Sequence, residues 1–278
     1  MVINYKPLNK VLEWIRYPIP NMNDLVHRLS EAVVFSKFDM NSGFWQIQIS
    51  EKDRYKTAFT TPFGQYEWNV MSFSLKNAPS EFQNIMNDIF NSFSHFTIVY
   101  IDDVLVYSSF IDEHWKHLYS FLDTIKRNGL VVFAKKIKLF QTKFCFLGYD
   151  ISKGQIRPID RAIQFVDKFP NVITDKTHLQ RFLGSLKYVA DFYKDMRKQC
   201  KPLVDRLKSN PPPWSDVHTS LVKQIKSYVK TLPCLGIPTI DTFKIVEIDA
   251  SDIGYSGILK QRVSLESSEQ IVCFYFGI

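Results

Sequence analysis

The sequence predicts an α+β fold with a mostly helical middle, on three observations. Short strand-forming runs with turn residues at their ends occur near both ends of the chain, at 33–38, 44–49, 57–70, 96–108, 144–151, 243–249 and 255–261. Apolar residues recur with helical spacing over 77–93, 113–129 and 160–208. Finally, 45% of the 278 residues are hydrophobic, which is ample for a buried core and excludes a wholly disordered chain.

Turn and cap residues justify the boundaries of these elements. The segment Pro62-Phe63-Gly64 interrupts the run 57–70 and predicts a hairpin there. Pro79 suits the first turn of the helix over 77–93, and Gly129 closes the helix over 113–129. The three prolines at 211–213 are the clearest linker, and a further helix is predicted after them, near 216–231.

Two adjacent aspartates, Asp102 and Asp103, interrupt the apolar run 96–108. A charge inside a buried sheet is costly, so both are expected in a hairpin turn, and an ordinary acidic turn is one interpretation. Asp39, at the end of another strand-forming run, supports a second interpretation. Three carboxylates at the ends of neighbouring strands suit two Mg²⁺ ions, which support in-line phosphoryl transfer in polymerases and nucleases.

The net charge of +7 is unevenly divided along the chain. Residues 1–115 contain 9 Lys/Arg against 13 Asp/Glu, whereas residues 116–210 contain 20 against 8. Residues 211–278 contain 6 against 7, so the basic excess belongs to the central segment. That segment is either a surface for a polyanion such as nucleic acid or a solvated, lysine-rich helical face.

Several classes of protein are excluded or disfavoured. No run approaches eighteen apolar residues, so no membrane-spanning helix is expected, and the N-terminus lacks a secretion signal. The location is therefore expected to be cytoplasmic or nuclear. The four cysteines have no paired spacing, which argues against a zinc ribbon or a disulfide framework. His114 and His117 have a metal-like spacing but no completing ligand, which favours solvated helix residues.

Several segments, taken in order, carry a family resemblance. FDMNSGFWQI at 38–47, FSLKNAPSEFQ at 73–83, YIDD at 100–103 and FLGYDI at 146–151 resemble successive palm motifs of reverse transcriptases. The likeness is to those of plant pararetroviruses and LTR retrotransposons. Essentially the whole chain takes part in it, because further segments resemble a fingers strand, the thumb and the first RNase H strands: MVINYKPLN at 1–9, LQRFLGSLKYVADF at 179–192 and EIDASDIGYSGILKQ at 247–261.

The resemblance implies a right-hand polymerase followed by a truncated RNase H-like β segment. A fingers remnant and the palm are expected over 1–152, a helical thumb and connection over 153–232, and the RNase H-like segment over 233–278. The implied activity is RNA-directed DNA synthesis, a nucleotidyltransferase reaction, by a polyprotein fragment of a retroelement or integrated pararetrovirus. The implied partners are an RNA or DNA template with its primer and deoxynucleoside triphosphates, with no membrane. The sequence leaves the oligomeric state open.

Roles for individual residues follow from the same resemblance. Asp39, Asp102 and Asp103 are implied as the carboxylates that hold two Mg²⁺ ions, for which Mn²⁺ can substitute. Phe44 matches the aromatic residue that excludes a ribose 2′-hydroxyl, with a core phenylalanine as the alternative. The other implied residues are Met40, Lys76 and Gln83 for nucleotide and template binding and Phe146, Leu147, Gly148 and Tyr149 for the primer grip. Lys135-Lys136 match a lysine near the triphosphate, or are simply solvated.

The sequence also departs from the family pattern. Fingers residues that clamp the triphosphate, including an arginine, are expected upstream of Met1. Ser74 replaces a glycine, which is penalised if the position requires a positive φ or a close approach to the template. Asp249 alone matches an RNase H acid, so RNase H activity is not expected, and the final strand is expected to be an aggregation-prone edge. The alternative to an active polymerase is a catalytically dead remnant that acts at most as a basic nucleic-acid-binding fragment.

Overall fold

The structure is a computed structural model that describes residues 3–251 and 254–277. The chain divides into two compact units, Met1–Thr142 and Lys143–Ile278, and each is described by itself. The finer division at 152 and 232 stays a prediction. Throughout the described residues, no helix is long and apolar enough to cross a membrane.

The N-terminal unit contains helices and strands from both sides of the acidic turn. Its helices are α1 (Lys6–Val11), α2 (Met22–His27), α3 (Glu51–Arg54), α4 (Ala78–Phe90) and α5 (Ile111–Arg127). Its strands are β1 (Val34–Asp39), β2 (Phe59–Thr61), β3 (Gly64–Tyr66), β4 (Thr97–Tyr100), β5 (Asp103–Ser108) and β6 (Lys138–Gln141).

A four-stranded antiparallel sheet organises this unit, in the order β4-β5-β1-β6. Apolar residues of α4 and α5 pack with the sheet into one core, which includes Phe38, Phe82 and Phe121. These three side chains are almost completely buried, so their large apolar surfaces hold both helices to the sheet. The predicted hairpin is present as β2 and β3, and the helices at 77–93 and 113–129 are confirmed.

The C-terminal unit combines a helical part with two small sheets. Its helices are α6 (Asp160–Asp167), α7 (Lys176–Leu186), α8 (Met196–Asp205) and α9 (Asp216–Val229). Its strands are β7 (Lys143–Phe146), β8 (Tyr149–Ser152), β9 (Gln155–Pro158), β10 (Leu235–Gly236), β11 (Phe243–Ser251), β12 (Gly254–Arg262) and β13 (Gln270–Gly277). The sheets are ordered β10-β9-β8-β7 and β11-β12-β13.

The helices of this unit share a second apolar core, which includes Phe182, Leu203 and Ile225. The helical stretch predicted over 160–208 is divided into α6, α7 and α8. Pro170 stands in the first gap, where it cannot continue a helix, and Asp195 in the second gap has a left-handed backbone with φ of 58°. The helical periodicity is therefore correct, but the continuity is not.

Two strand predictions in the N-terminal unit are wrong. Residues 44–49 form a 3-10 turn (Gly43–Gln46) and a single bridge from Gln48 to Val70, because Ser42 takes a left-handed conformation that ends the extended chain. The segment at 1–9, expected as a fingers strand, is helical from Lys6, with Pro7 in the first turn. Residues 1 and 2 lie outside the described residues.

Candidate functional site

The acidic turn, Tyr100-Ile101-Asp102-Asp103, joins β4 to β5 as the sequence predicts. Tyr100 and Asp103 are directly paired across the hairpin, which leaves Ile101 and Asp102 as its two central residues. Ile101 has φ of 52°, in the left-handed region that β-branched residues avoid. A backbone held in such a conformation requires compensating contacts, so the turn is a specified feature rather than a loose connection.

The neighbouring strand brings the third aspartate to this turn. In the β1–β5 ladder Asp39 is opposite Asp103, and the next residue, Met40, donates its backbone N–H to the carbonyl of Asp102 at 2.8 Å. The main chain of Met40 therefore lies directly beside the acidic turn, while its side chain is buried. The structure thus brings together the three aspartates that the sequence singled out.

Two lysines neutralise the two outer carboxylates. Lys37 Nζ lies 2.8 Å from Asp103 Oδ2, as a diagonal neighbour across β1 and β5. Lys136 Nζ lies 3.1 and 3.0 Å from the two carboxylate oxygens of Asp39. Lys136 is therefore ion-paired at the site rather than simply solvated.

The middle carboxylate has a different environment. Asp102 Oδ1 is buried and has no hydrogen-bond partner among the described residues. Burial raises the pKa of Asp102 above its ordinary value, and the negative charges of Asp39 and Asp103 raise it further. A buried, unpartnered carboxylate oxygen is costly, unless a cation or a donor from a ligand completes its coordination.

The three aspartates offer carboxylate oxygens, which are the chemical type of ligand that a hard divalent cation prefers. Carboxylate oxygens at one end of a sheet are the ligands that Mg²⁺ prefers, and one of them is unpartnered. As they stand, however, no three acidic, histidine or cysteine side chains of the described chain form a ready metal cluster. Asp39 and Asp103 are bonded to lysines instead.

Gly43 and Phe44 form the wall next to Asp102. A Cβ on Gly43 would clash with Asp102 Oδ1 and would lie 2.8 Å from the ring of Phe82. Phe44 packs edge-to-face on Phe82, with ring centroids 5.3 Å apart, and is only partly buried. Phe44 therefore makes a core contact while part of the residue stays accessible.

Gln83, which the resemblance implied for nucleotide and template binding, lies beneath the acidic turn. It is completely buried on α4, where its Oε1 accepts the backbone N–H of Ile101 at 2.7 Å. Its Nε2 donates to the carbonyl of Val99 at 3.1 Å. Gln83 therefore supports the acidic turn from within the core, and the cause is its position on the apolar face of an amphipathic helix.

The loop before α4 contains two further residues considered in the sequence analysis, Lys76 and Ser74. Lys76 is exposed, and its backbone N–H donates to the side chain of Asn9 at 2.9 Å. Ser74 does not have a positive φ, so a backbone penalty for serine at this position does not arise. Its carbonyl accepts a hydrogen bond from Asn9 at 2.9 Å.

The predicted primer-grip residues lie in the C-terminal unit, at the hairpin between β7 and β8. Phe146 and Tyr149 are paired across it and buried, while Leu147 and Gly148 form the turn with φ of 52° and 88°. The Tyr149 hydroxyl donates to Asp191 Oδ2 at 2.7 Å, and burial raises its pKa. Leu147 and Gly148 are half-buried, so the turn is more accessible than either aromatic residue.

Asp249 lies in the middle of β11, opposite Ser256, and is exposed. In this sheet Lys260 forms ion pairs with Glu247 and Glu269. Asp249 is thus one of two carboxylates on β11, and no cluster of three metal-ligating groups is found in the described ranges.

His114 corrects one prediction from the sequence. It is fully buried, not solvated, and its two ring nitrogens are hydrogen-bonded at 2.8 Å to the hydroxyls of Ser36 and Ser108. Burial lowers the pKa of His114 to about 4, with a smaller contribution from His117. The imidazole is a satisfied polar group that ties α5 to β1 and β5.

This burial predicts a pH-dependent stability. The neutral imidazole is favoured in the folded state, whereas the unfolded chain takes up a proton below its ordinary pKa of 6.5. The stabilisation is therefore complete above pH 6.5 and is lost as the pH falls towards 4, by about 3 kcal/mol in total.

Urea unfolding at pH 7.5, 6 and 5 measures this effect. The loss of unfolding free energy on acidification is expected to be smaller in His114→Gln than in the unmodified chain. In the control His178→Gln, at an exposed histidine, the loss should be unchanged. An equal loss in all three proteins would contradict the burial of a neutral His114.

Comparisons with known proteins agree with this geometry. A family model described as reverse transcriptase (RNA-dependent DNA polymerase) matches residues 1–151. A second model, described as an RNase H-like domain found in reverse transcriptase, matches residues 214–276. The second match begins directly after the three-proline linker.

Curated relatives are plant viral polyproteins. The chain is 38% identical over 277 residues to the enzymatic polyprotein of Cauliflower mosaic virus (strain Strasbourg), covering 99% of the chain and 41% of that polyprotein. It is 40% identical over 262 residues to the genome polyprotein of Petunia vein clearing virus (isolate Shepherd), covering 94% of the chain and 12% of that polyprotein. The chain thus spans well under half of these relatives.

Solved structures share the fold. The foamy viral protease-reverse transcriptase in complex with RNA/DNA hybrid matches with a TM-score of 0.84 and 21% identity, over 99% of this chain and 37% of that one. The same viral protein in complex with dsDNA matches with a TM-score of 0.87 and 21% identity, over 100% and 58%. The fold is that of a right-hand polymerase. More narrowly, the chain belongs to the reverse transcriptase family.

Sequence reasoning missed four residues: Lys37 and Gly43 beside the acidic turn, and Ser36 and Ser108 around His114. Lys37 could have been found from the register, because pairing Asp39 with Asp103 makes Lys37 a diagonal neighbour of Asp103. Ser36 and Ser108 interrupt apolar runs, which is a signal for a buried polar partner such as His114. Gly43 gives no signal of its own, because its role depends on a close tertiary approach.

Proposed function

We propose that this chain catalyses template-directed synthesis of DNA, with RNA as a template, from deoxynucleoside triphosphates. The observation that carries the proposal is the buried, unpartnered Oδ1 of Asp102 beside Asp39 and Asp103. The chain spans only part of its polyprotein relatives, so the proposal concerns the activity of this chain rather than of a whole polyprotein.

The three aspartates are proposed to hold two Mg²⁺ ions, with Mn²⁺ as a substitute. Bound there, two divalent ions supply activation of an attacking hydroxyl and stabilisation of a leaving oxygen. The contribution of the chain is to hold the three carboxylates close together. Lys37 and Lys136 serve this purpose, because each ammonium group offsets the repulsion between the carboxylates.

The residues around the aspartates are proposed to position the substrates. The partly buried ring of Phe44 is proposed to exclude a ribose 2′-hydroxyl, and the backbone of Met40 to lie beside the sugar and phosphates. Exposed Lys76 attracts the phosphates or the template. The primer 3′ end is proposed to contact the turn at Leu147 and Gly148, because the rings of Phe146 and Tyr149 are buried.

The nucleic-acid partner is supported by charge. The excess of 20 Lys/Arg over 8 Asp/Glu in residues 116–210 provides cations for a phosphate backbone. The foamy viral neighbours are described in complex with RNA/DNA hybrid and with dsDNA. We propose the same class of duplex, a template with its primer, as the partner of this chain.

Primer extension tests the proposal directly. The purified chain, Mg²⁺, a labelled DNA primer on an RNA template and the four deoxynucleoside triphosphates should give extended products. Ribonucleoside triphosphates should be incorporated poorly, unless Phe44 is replaced by alanine. Extension no greater than that of the Asp102→Asn variant would contradict the proposal.

A binding measurement distinguishes an active polymerase from a catalytically dead fragment that only binds nucleic acid. The dissociation constant for the same primer–template, measured from 50 to 200 mM salt, should rise steeply because phosphate contacts release counterions. Salt-sensitive binding without extension would identify a non-catalytic nucleic-acid-binding fragment. Extension that depends on Asp102 would exclude it.

A further inference from the structure

A chain of side-chain amides leads from the acidic turn to the N-terminal segment. Gln83, which bonds to Ile101 and Val99, also donates its Nε2 to Asn87 Oδ1 at 2.9 Å. The Nδ2 of Asn87 donates in turn to the hydroxyl of Tyr17 at 2.8 Å. Gln83 and Asn87 are four residues apart on α4, so their side chains lie one above the other on the same helix face.

The donors and acceptors permit one orientation of the Gln83 amide. If the amide were reversed, its NH₂ group would face the N–H of Ile101, and its oxygen would face the oxygens of Val99 and Asn87. Both arrangements are repulsive, since donors would meet donors and acceptors would meet acceptors. Asn87 therefore supplies an acceptor that keeps the Gln83 oxygen directed at the turn.

The acidic turn requires this oxygen. Ile101 has a left-handed backbone, which for a β-branched residue costs on the order of the energy of one hydrogen bond. The bond from its N–H to buried Gln83 offsets this cost within the turn that carries Asp102. A Gln83 amide that is free to reverse would leave a buried N–H unsatisfied at this point.

We propose that Asn87 is a positioning residue for the acidic turn, acting through the Gln83 amide and anchored by Tyr17. Asn87 is predicted to touch neither substrate nor metal. Its effect on polymerisation rests on the proposed function, whereas its effect on the turn does not.

Two other asparagines also join the N-terminal segment to α4 and the preceding loop through side-chain hydrogen bonds. Asn77 Nδ2 donates to the carbonyl of Glu13 at 2.7 Å, and Asn9 bonds to both Ser74 and Lys76. The segment before α2 is thereby tied to α4 and the loop before it. Only the Asn87 link continues to the acidic turn.

Hydrogen–deuterium exchange tests the proposal without requiring activity. In Asn87→Leu, a shape-conserving variant without the acceptor, the amide of Ile101 should exchange about tenfold faster, the equivalent of one lost hydrogen bond. Asn87→Asp retains an oxygen facing Gln83 and should exchange within twofold of the unmodified chain. The matched control is Asn91→Leu, at an exposed asparagine one turn further along, and it should leave the exchange unchanged.

If Asn87→Leu does not fold, the milder variant Tyr17→Phe tests the same hydrogen-bond chain. Tyr17→Phe removes only the anchoring hydroxyl, and we expect a smaller acceleration of Ile101 exchange in the same direction. A double variant then separates positioning from simple destabilisation. Adding Asn87→Leu to Gln83→Leu should not accelerate the exchange further, because Asn87 acts through Gln83.

Primer extension adds a kinetic signature. Asn87→Leu should lower kcat about tenfold, with KM for the deoxynucleotide within twofold, because substrate contacts are retained while Asp102 is less well placed. Unchanged Ile101 exchange in Asn87→Leu, or additive effects in the double variant, would overturn the positioning role. Absence of extension by the unmodified chain would instead contradict the proposed function, and the exchange result would still decide the role of Asn87.

Discussion

Replacing Asp102 with asparagine is expected to lower the rate of nucleotide incorporation at least about 1,000-fold. Asparagine preserves the shape of the side chain but removes the negative charge. The unpartnered Oδ1 is then a neutral amide atom, which binds a divalent cation more weakly than a carboxylate oxygen does. Single-turnover primer extension at saturating deoxynucleotide gives the rate directly.

The same substitution should not destabilise the fold. Burial and two neighbouring carboxylates raise the pKa of Asp102, so its ionised form is disfavoured in the folded state. Removing the charge is therefore expected to leave the melting temperature unchanged or to increase it. Loss of activity together with an equal or higher melting temperature identifies a group kept for function at the expense of stability.

A matched control is available at an exposed aspartate. Asp241→Asn removes the same charge in the turn before β11 and should change neither the extension rate nor the melting temperature. If Asp102→Asn retained more than a tenth of the activity, or if both variants lost activity equally, Asp102 would not have the role proposed for it.

The second large effect is expected from Gly43→Ala. A methyl group at this position clashes with Asp102 Oδ1 and lies 2.8 Å from the ring of fully buried Phe82. The ring cannot retreat within a close-packed core, so the carboxylate must move. A displacement of about 1 Å in a reacting site costs on the order of 100-fold in rate, and overpacking adds about 1–3 kcal/mol of destabilisation.

Gly184 provides the control for this substitution. It lies within α7, and a Cβ there would meet nothing within 4 Å. Gly184→Ala should stabilise the protein by about 0.5–1 kcal/mol through helix propensity, without a change in extension rate. Chemical denaturation and primer extension on both variants would distinguish a local steric effect from a general effect of glycine replacement. Equal activity of the two variants would contradict the close approach of Gly43 to Asp102.

Short-range patterns made the acidic turn predictable. A pair of aspartates between two strand-forming runs has few alternatives to a hairpin turn, and the structure has that hairpin with Tyr100 paired to Asp103. The position of Asp39 beside it required the ordered motifs as well, since no local pattern specifies that β1 pairs with β5. The overall fold was likewise predictable, because the family resemblance extends along the whole chain.

Tertiary context decided the features that could not be predicted. The stretch 44–49 has apolar and polar residues in a strand-like pattern, but a left-handed Ser42 and the close approach of Gly43 to Asp102 turn the chain instead. The motif implied nucleotide and template binding for Gln83, but helix α4 directs its side chain into the core, under the acidic turn. His114 was similar, because its burial depends on Ser36, which is 78 residues away in the sequence, as well as on nearby Ser108.

The three aspartates are proposed to bind two metal ions together. Counting bound Mn²⁺ tests this most directly. Electron paramagnetic resonance can count the ions on the chain with primer–template and deoxynucleotide present, using a primer that lacks its 3′-hydroxyl. We predict two Mn²⁺ ions per unmodified chain and at most one per Asp102→Asn chain, with the Asp241→Asn control equal to the unmodified chain. The same number of ions on the unmodified and Asp102→Asn chains would contradict the account.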